Sequence, residues 1–229
     1  MDDRTAAMIR RAWPRQLVFL LFMAVLLFAP AGTLDYWQAW LFLAVFVDCT
    51  IATGIYFVMH DPALVERRMK VGPAAEQEPV QKIAIGIVCI GLLAMLVVPG
   101  FDRRWHWSDV PAWLTILAEA AIALSFVLFF YVMKQNSFAA ATVRVEREQT
   151  VISTGLYGVV RHPMYMATLP LTLAIPPALG SWWALLPAIA VVPALVWRLL
   201  DEERVLQRDL HGYTDYCARV RWRLLPGLW

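Results

Sequence analysis

The sequence predicts an all-α membrane protein that crosses the bilayer several times. Of its 229 residues, 60% are hydrophobic and 17% are charged, and its mean hydropathy is +0.58. Soluble domains have about 25% charged and about 45–50% apolar residues. The apolar runs also follow one another so closely that no soluble domain fits between them. We therefore expect one membrane domain over residues 1–229, with four spans in residues 1–133 and a polar-motif region in residues 134–229.

Charge and cysteine content exclude other classes. A net charge of +2 is too small to indicate a nucleic-acid partner. The cysteines at positions 49, 89 and 217 are too far apart to suggest a disulfide framework, a thiol pair or a metal site. The first apolar run has no small-residue cleavage pattern and further spans follow it, so we interpret it as a membrane helix. The bilayer is then the first expected partner, with neither nucleic acid nor metal.

Four spans are predicted in the first 133 residues. Their bounds are Gln16 to Ala31, Ala39 to Met59, Ile83 to Pro99 and Pro111 to Met133. Arg10, Arg11 and Trp13 precede the first span as candidate interfacial anchors. The loop from His60 to Lys82 holds Glu66, Arg67, Arg68 and Lys70 with several helix breakers, and Gly100 to Val110 is a polar, aromatic connection.

The remaining chain contains a polar segment, an apolar hairpin and a tail. Residues 134–163 are polar, and two apolar stretches follow at Met164 to Gly180 and Trp183 to Leu200, with a turn at Ser181 and Trp182. The tail from Asp201 to Trp229 is amphipathic and basic. The two stretches contain prolines at positions 170, 176, 177, 187 and 193. These prolines predict that both helices are short and kinked. The sequence therefore predicts five to six transmembrane helices.

The basic residues predict the orientation. With six spans, the N-terminus, the 60–82 loop, the 134–163 segment and the tail lie on one side. Outside the apolar stretches, these segments hold every Lys and Arg except Arg103 and Arg104. Because Lys and Arg are in excess on the cytoplasmic side, both termini and the polar motifs are predicted to be cytoplasmic.

Two polar clusters at the edge of apolar spans are the candidate site. The first runs from Gly155 to Tyr165 and the second from Arg198 to Glu203. Polar and charged residues are costly at such positions, which favours a functional role at the membrane surface. His162 precedes Pro163, so it is predicted to leave helical geometry just before a helix whose N–H groups favour an anion. A snorkelling Arg with an interfacial His and Tyr would explain the first cluster equally well.

Arg198 and Glu202 are four residues apart and share one face of a helix. In the order Arg before Glu, an ion pair within one helix is the less favourable arrangement, so a purely structural pair is weakly motivated. Arg198 offers a rigid fork for a carboxylate or phosphate, and Glu202 offers an acceptor for an ammonium group or a ribose hydroxyl.

Asp48 and Glu119 lie inside predicted spans, where ionisable residues are rare. They could line the pathway of a small transporter or channel, but contacts between helices are the favoured interpretation. The polar residues concentrate on one face and no inverted repeat is visible, which disfavours a transporter. A non-catalytic membrane protein with a degenerate site is the second alternative.

The motifs over residues 136–229 resemble the isoprenylcysteine carboxyl methyltransferase family, which includes phospholipid-methyltransferase-like and thiol-methylating relatives. They comprise Gln149-Thr-Val-Ile152, Gly155-x-Tyr157, Arg161-His-Pro-x-Tyr165, Arg198-x-x-x-Glu202-Glu203, Leu206, Gly212-Tyr213-x-x-Tyr216 and Pro226. Ala167 departs from the pattern, because the family often has Gly there. The first four spans resemble the family only in being apolar.

The resemblance implies a methyltransferase dependent on S-adenosylmethionine, with a cofactor pocket at the cytoplasmic face built by the C-terminal half. Carried over by position, the residues that would line the pocket are Gln149, Thr150, Val151, Ile152, Tyr157, His162, Pro163, Met164, Tyr165 and Glu202. Arg198 would face the methyl acceptor, and Arg198 and Glu202 are the predicted catalytic residues.

The expected acceptor is a lipophilic small molecule or a prenylated chain that enters from the bilayer. An isoprenoid or lipid-like carboxylate is favoured, and it needs no general base because Arg198 can hold it. A thiol or amine would need a proton acceptor, for which Glu202 and Glu203 are the candidates.

Overall fold

The computed structural model describes residues 3–69, 71–139, 141–143, 145 and 149–229, with side chains from residue 14 onward. Within these ranges the chain is helical and contains no β-strand. The helices are α1 (Asp3–Ala31), α2 (Trp37–His60), α3 (Pro62–Arg68), α4 (Pro79–Trp105), α5 (Ala112–Gln135), α6 (Pro163–Ala178), α7 (Leu185–Asp209) and α8 (Tyr213–Arg219). The predicted all-α membrane fold is confirmed. The side chains of the predicted anchors Arg10, Arg11 and Trp13, and all of Lys70, lie outside the described residues.

Four helices are long and apolar enough to cross a membrane. They are α2, α4 and α5 over their full lengths, and α1 over the segment Pro14–Ala31. The protein is therefore an integral membrane protein, and the four predicted N-terminal spans correspond to these helices. Large apolar side chains remain exposed along them, as expected of surfaces that face lipid; Val18, Leu21 and Ile90 are examples.

The hairpin of α6 and α7 does not meet both criteria, so the predicted count of five or six spans is not confirmed by length and composition. α6 has 16 residues and is therefore about 24 Å long, shorter than the roughly 30 Å hydrocarbon layer. α7 has 25 residues and is not short as predicted, although Pro193 lies inside it. Its second half carries Arg198, Asp201 and Glu202, which interrupt the apolar run.

The predicted connection from Gly100 to Val110 is also corrected. Helix α4 continues through Pro99 and Gly100 to Trp105. His106 caps its C-terminus, with a φ of 54° in the left-handed region. The polar residues that suggested a loop thus form the last turns of a helix, because the apolar signal ends before the hydrogen-bonded helix does.

The hairpin packs against the long helices. α6 lies along α5, and α7 lies along α4, which also contacts α1. The main core combines residues from six helices, including Leu27, Phe42, Met95, Ile122 and Leu199. Gly91 allows the close approach of α4 and α7, because a Cβ atom there would lie 2.1 Å from the Val191 Cγ2 atom.

The turn between α6 and α7 contacts the connection between α4 and α5. Asp102 accepts hydrogen bonds from the Ser108 hydroxyl at 2.6 Å and from the Ser181 hydroxyl. The Tyr36 hydroxyl, between α1 and α2, donates to the Leu179 carbonyl at 2.5 Å. The hairpin turn therefore lies at the same end of the bundle as the α1–α2 and α4–α5 connections, and the other end of the hairpin holds the polar motifs.

Candidate functional site

The residues predicted from the sequence line one cavity of about 320 Å³ where α6 begins and α7 becomes polar. Cavities of roughly 300 to 1,000 Å³ accommodate small molecules and cofactors. The lining includes all eleven predicted residues, namely Gln149, Thr150, Val151, Ile152, Tyr157, His162, Pro163, Met164, Tyr165, Arg198 and Glu202. The structure brings them together, and their individual roles stay predictions.

A 3₁₀ turn over Gly155–Gly158 places Tyr157 in the cavity wall. Gly155 has a φ of +58°, and a Cβ atom there would lie 2.6 Å from the Gln135 side chain, so the position requires glycine. The Gln135 Oε1 atom accepts from the Leu156 N–H at 2.9 Å. The Tyr157 hydroxyl accepts from the Asn136 side chain at 3.1 Å, and burial raises the pKa of Tyr157 to about 12. Tyr157 is therefore a neutral phenol that is held against the end of α5.

The start of α6 has the predicted geometry, and the residues just before it bind the C-terminal tail. His162 lies outside the helix, with φ −125° and ψ 64°, and Pro163 occupies the first turn. The N–H groups of Arg161 and His162 donate to the carbonyls of Trp222 and Arg223 at 2.9 and 3.0 Å. The tail thus occupies the two N–H groups that precede Pro163, whereas the anion site predicted at the N–H groups of the helix itself stays a prediction.

Tyr165 and Glu202 connect α6 to α7 across the cavity. The Tyr165 hydroxyl donates to the Glu202 Oε2 atom at 2.7 Å, and Tyr165 is buried. Among the described residues, the Glu202 Oε1 atom has no hydrogen-bond partner. Tyr165 thus holds Glu202 by one oxygen and leaves the other able to accept a bond from a ligand.

Arg198 does not pair with Glu202, although the two share a helix face. Its Nη2 atom lies 2.7 Å from the Glu76 Oε1 atom and donates to the Ala141 carbonyl at 2.9 Å. Glu76 also accepts from the Val143 N–H at 3.0 Å and is only 4% exposed. The Arg198 Nη1 atom is buried and has no partner among the described residues. Part of the guanidinium is thus fixed within the protein, and one nitrogen remains for a ligand.

Glu203 belongs to a separate ion cluster, which corrects its candidacy as a base. Its carboxylate lies 3.1 Å from Arg161 Nη1 and 3.3 Å from His162 Nε2, and it accepts from Arg223 Nε at 2.8 Å. Burial alone would raise the pKa of Glu203, but these three partners outweigh it and lower the pKa to about 2. Glu203 does not line the cavity. It connects α7, the start of α6 and the tail.

Sequence reasoning missed two residues of the 60–82 loop. Arg68, at the end of α3, lines the cavity, and Glu76 holds Arg198 from just before α4. The available signal was charge density in a loop between apolar spans, but nothing in the sequence shows which distant residue the loop contacts.

The two acidic residues inside spans lie away from the cavity. Glu119 on α5 is 4% exposed, and neither of its oxygens has a partner among the described residues. Asp48 on α2 is exposed. Neither residue lines the cavity, which agrees with their assignment outside the candidate site.

Comparison with known proteins supports the resemblance inferred from the motifs. Residues 113–211 match the family described as phospholipid methyltransferase, whose members are integral membrane methyltransferases related to the isoprenylcysteine carboxyl methyltransferases. No curated protein matches the chain significantly. The matched region contains α6, α7 and the eleven predicted site residues, whereas Arg68 and Glu76 precede it and the motif residues from Gly212 onward follow it. The match confirms the resemblance and indicates a membrane methyltransferase.

Proposed function

We propose that this protein transfers a methyl group from S-adenosylmethionine to a lipophilic acceptor that enters from the bilayer. One observation carries the proposal: residues from three separate motifs, in a segment that matches membrane methyltransferases, converge on a single cavity beside the apolar part of the bundle.

The cavity has groups suited to the cofactor. S-adenosylmethionine has an ammonium group, a carboxylate and ribose hydroxyls, and when bound it supplies a methyl group activated by a sulfonium centre. The free oxygen of Glu202 can accept a bond from the ammonium or a hydroxyl. The neutral Tyr157 hydroxyl can donate to an acceptor atom of the ligand. The segment from Gln149 to Ile152 supplies one wall.

Another part of the cavity suits an apolar acceptor. Ile85 and Val88 of α4 and Leu195 of α7 line it on the side of the membrane helices. These side chains can hold a lipid or isoprenoid tail by burial of apolar surface. The unpartnered Nη1 atom of Arg198 lies in the same cavity wall and can hold the reactive end of the acceptor.

The residues of the site mainly position the reactants. Good alignment of two reactants can contribute on the order of 7–11 kcal/mol to a barrier reduction. For a carboxylate acceptor, the chain needs only to hold the anion, and Arg198 does this. For a thiol or amine, Glu202 is the acidic side chain in the described cavity wall that can accept the proton. A carboxylate remains the favoured acceptor.

Purified protein in detergent should bind S-adenosylmethionine in a calorimetric titration. It should also transfer a radiolabelled methyl group into the organic-soluble fraction of a membrane lipid extract. Base treatment of that fraction distinguishes a methyl ester, which is hydrolysed to labelled methanol, from a methylated amine or thioether, which is stable. Absence of cofactor binding by folded protein would refute the proposal.

A further inference from the structure

Arg68 is a cavity-lining cation that has no carboxylate partner within the described part of the chain. It ends helix α3, and its Nη1 atom donates to the Ala139 carbonyl at 3.0 Å. A guanidinium has five N–H donors. No other described group accepts from Arg68, so most of its donors have no partner among the described residues.

The neighbouring Arg67 shows what a structural arginine looks like in this loop. Its Nε and Nη2 atoms both donate to the Ser137 carbonyl, at 3.1 and 2.8 Å, and its guanidinium lies 5.3 Å from the centre of the Phe138 ring. Arg67 does not line the cavity. The two arginines thus hold the same stretch of chain, but only Arg68 also faces the ligand space.

Among the described residues of the cavity wall, no carboxylate contacts Arg68. Arg161 pairs with Glu203, which it shares with Arg223 and His162, and Arg198 pairs with Glu76. Arg68 and Glu202 are the lining charges without an ion-pair partner in the described part of the chain, and Glu202 is held by Tyr165. Burial lowers the pKa of Arg68, because water is removed from the guanidinium. A buried charge is stabilised by an opposite charge with good hydrogen-bonding geometry, and a ligand anion would supply it.

We propose that Arg68 is an anion subsite of this cavity, which takes the carboxylate or phosphate group of a bound ligand. Its planar fork matches both groups, and it can donate two parallel bonds to either. The ligand identity rests on the proposed function. The anion is either the amino-acid carboxylate of the cofactor, with Glu202 taking the ammonium, or the phosphate of an anionic lipid acceptor.

The test compares Arg68→Gln with Arg67→Gln, a matched control that removes the same charge one residue away from the cavity. Calorimetric titrations in detergent use four probes in two pairs. S-adenosylhomocysteine is paired with 5′-methylthioadenosine, which lacks the amino-acid group. Dihexanoylphosphatidic acid is paired with dihexanoylglycerol, which lacks the phosphate.

We expect Arg68→Gln to weaken the binding of one anionic probe about ten- to a hundredfold, which is the range for losing charge-assisted bonds. The binding of the matching probe without the anionic group should not change. Arg67→Gln should not change the binding of any probe. A loss for S-adenosylhomocysteine assigns the subsite to the cofactor, and a loss for the phosphatidic acid assigns it to the acceptor. Equal effects of the two substitutions, or equal losses within each pair, would overturn the subsite. Wild-type protein that fails to bind S-adenosylhomocysteine would instead refute the proposed function, and only the phosphate pair could then support Arg68.

Discussion

Arg198 and Glu76 form a buried ion pair, with 2.7 Å between Nη2 and Oε1, although 122 positions separate them in the sequence. Side-chain exposure is 8% for Arg198 and 1% for Glu76. Since Glu76 also accepts from the Val143 N–H, it connects Arg198 to the segment that precedes the Gln149–Ile152 wall. The loop after α3 thereby fixes the position of Arg198 in the cavity.

Glu76→Gln should destabilise the protein and slow methyl transfer, because it leaves the Arg198 guanidinium buried without its counter-charge. Removal of one partner of a buried pair typically costs about 3–5 kcal/mol. Thermal unfolding in detergent and single-turnover rates measure both effects. Glu78→Gln is the control, because Glu78 pairs with the exposed Arg208 and should have little effect on either quantity. Equal unfolding temperatures for both variants would contradict the importance of the buried pair.

Arg198→Lys should reduce the rate of methyl transfer by a larger factor than it reduces the affinity for the cofactor. An ammonium group cannot bond Glu76 and the Ala141 carbonyl and also present a planar second nitrogen to the acceptor. Cofactor dissociation constants and single-turnover rates for wild type and variant check this. A variant with wild-type rates would remove Arg198 from the acceptor site.

Glu202→Gln should weaken the binding of S-adenosylmethionine about ten- to a hundredfold, since a charge-assisted bond contributes roughly 1.5–3 kcal/mol. Tyr165→Phe should have a smaller effect, because it removes only the bond that orients Glu202. Calorimetric titration is the measurement. Asp48→Asn and Glu119→Gln are controls that lie away from the cavity. A similar loss in all four variants would show that folding, not the site, is being measured.

Glu203 should stabilise the protein above pH 4.5 and lose this effect in acid. Its pKa is lowered to about 2 in the folded protein, from 4.5, so the folded state favours the charged form. The stabilisation is complete above the unfolded pKa and disappears as pH falls toward 2. The difference in unfolding temperature between wild type and Glu203→Gln should therefore shrink between pH 5 and pH 3. A difference that is constant over this range would exclude an ionic role for Glu203.

The orientation of the chain can be tested by labelling. The basic residues predict that both termini and the cavity face the cytoplasm, and that the α4–α5 connection faces outward. Ser108 is a poor site for a reporter cysteine, because its hydroxyl bonds Asp102. Asp109 is exposed, so Asp109→Cys in a protein without its native cysteines should react with a membrane-impermeant maleimide on intact cells. Reaction only after the membrane is opened would reverse the predicted orientation.

The sequence by itself determined the fold class, the four long helices and eleven of the residues that meet in the cavity. Apolar length predicts a membrane helix because the bilayer is a uniform solvent that each span must match on its own. The start of α6 was equally predictable, since Pro163 restricts His162 through a clash between neighbouring residues. These effects act over short distances along the chain, so a sequence pattern can express them.

Tertiary structure alone decided which charges meet. Arg198 and Glu202 share a helix face, yet their partners are Glu76 and Tyr165, from a different loop and a different helix. Glu203 looked like a candidate base beside Glu202, but it points to Arg161, His162 and Arg223. Arg68 entered the cavity from a loop that the motifs do not include. Pairing of this kind depends on how helices pack across the bundle, and residue spacing along the chain does not encode that geometry.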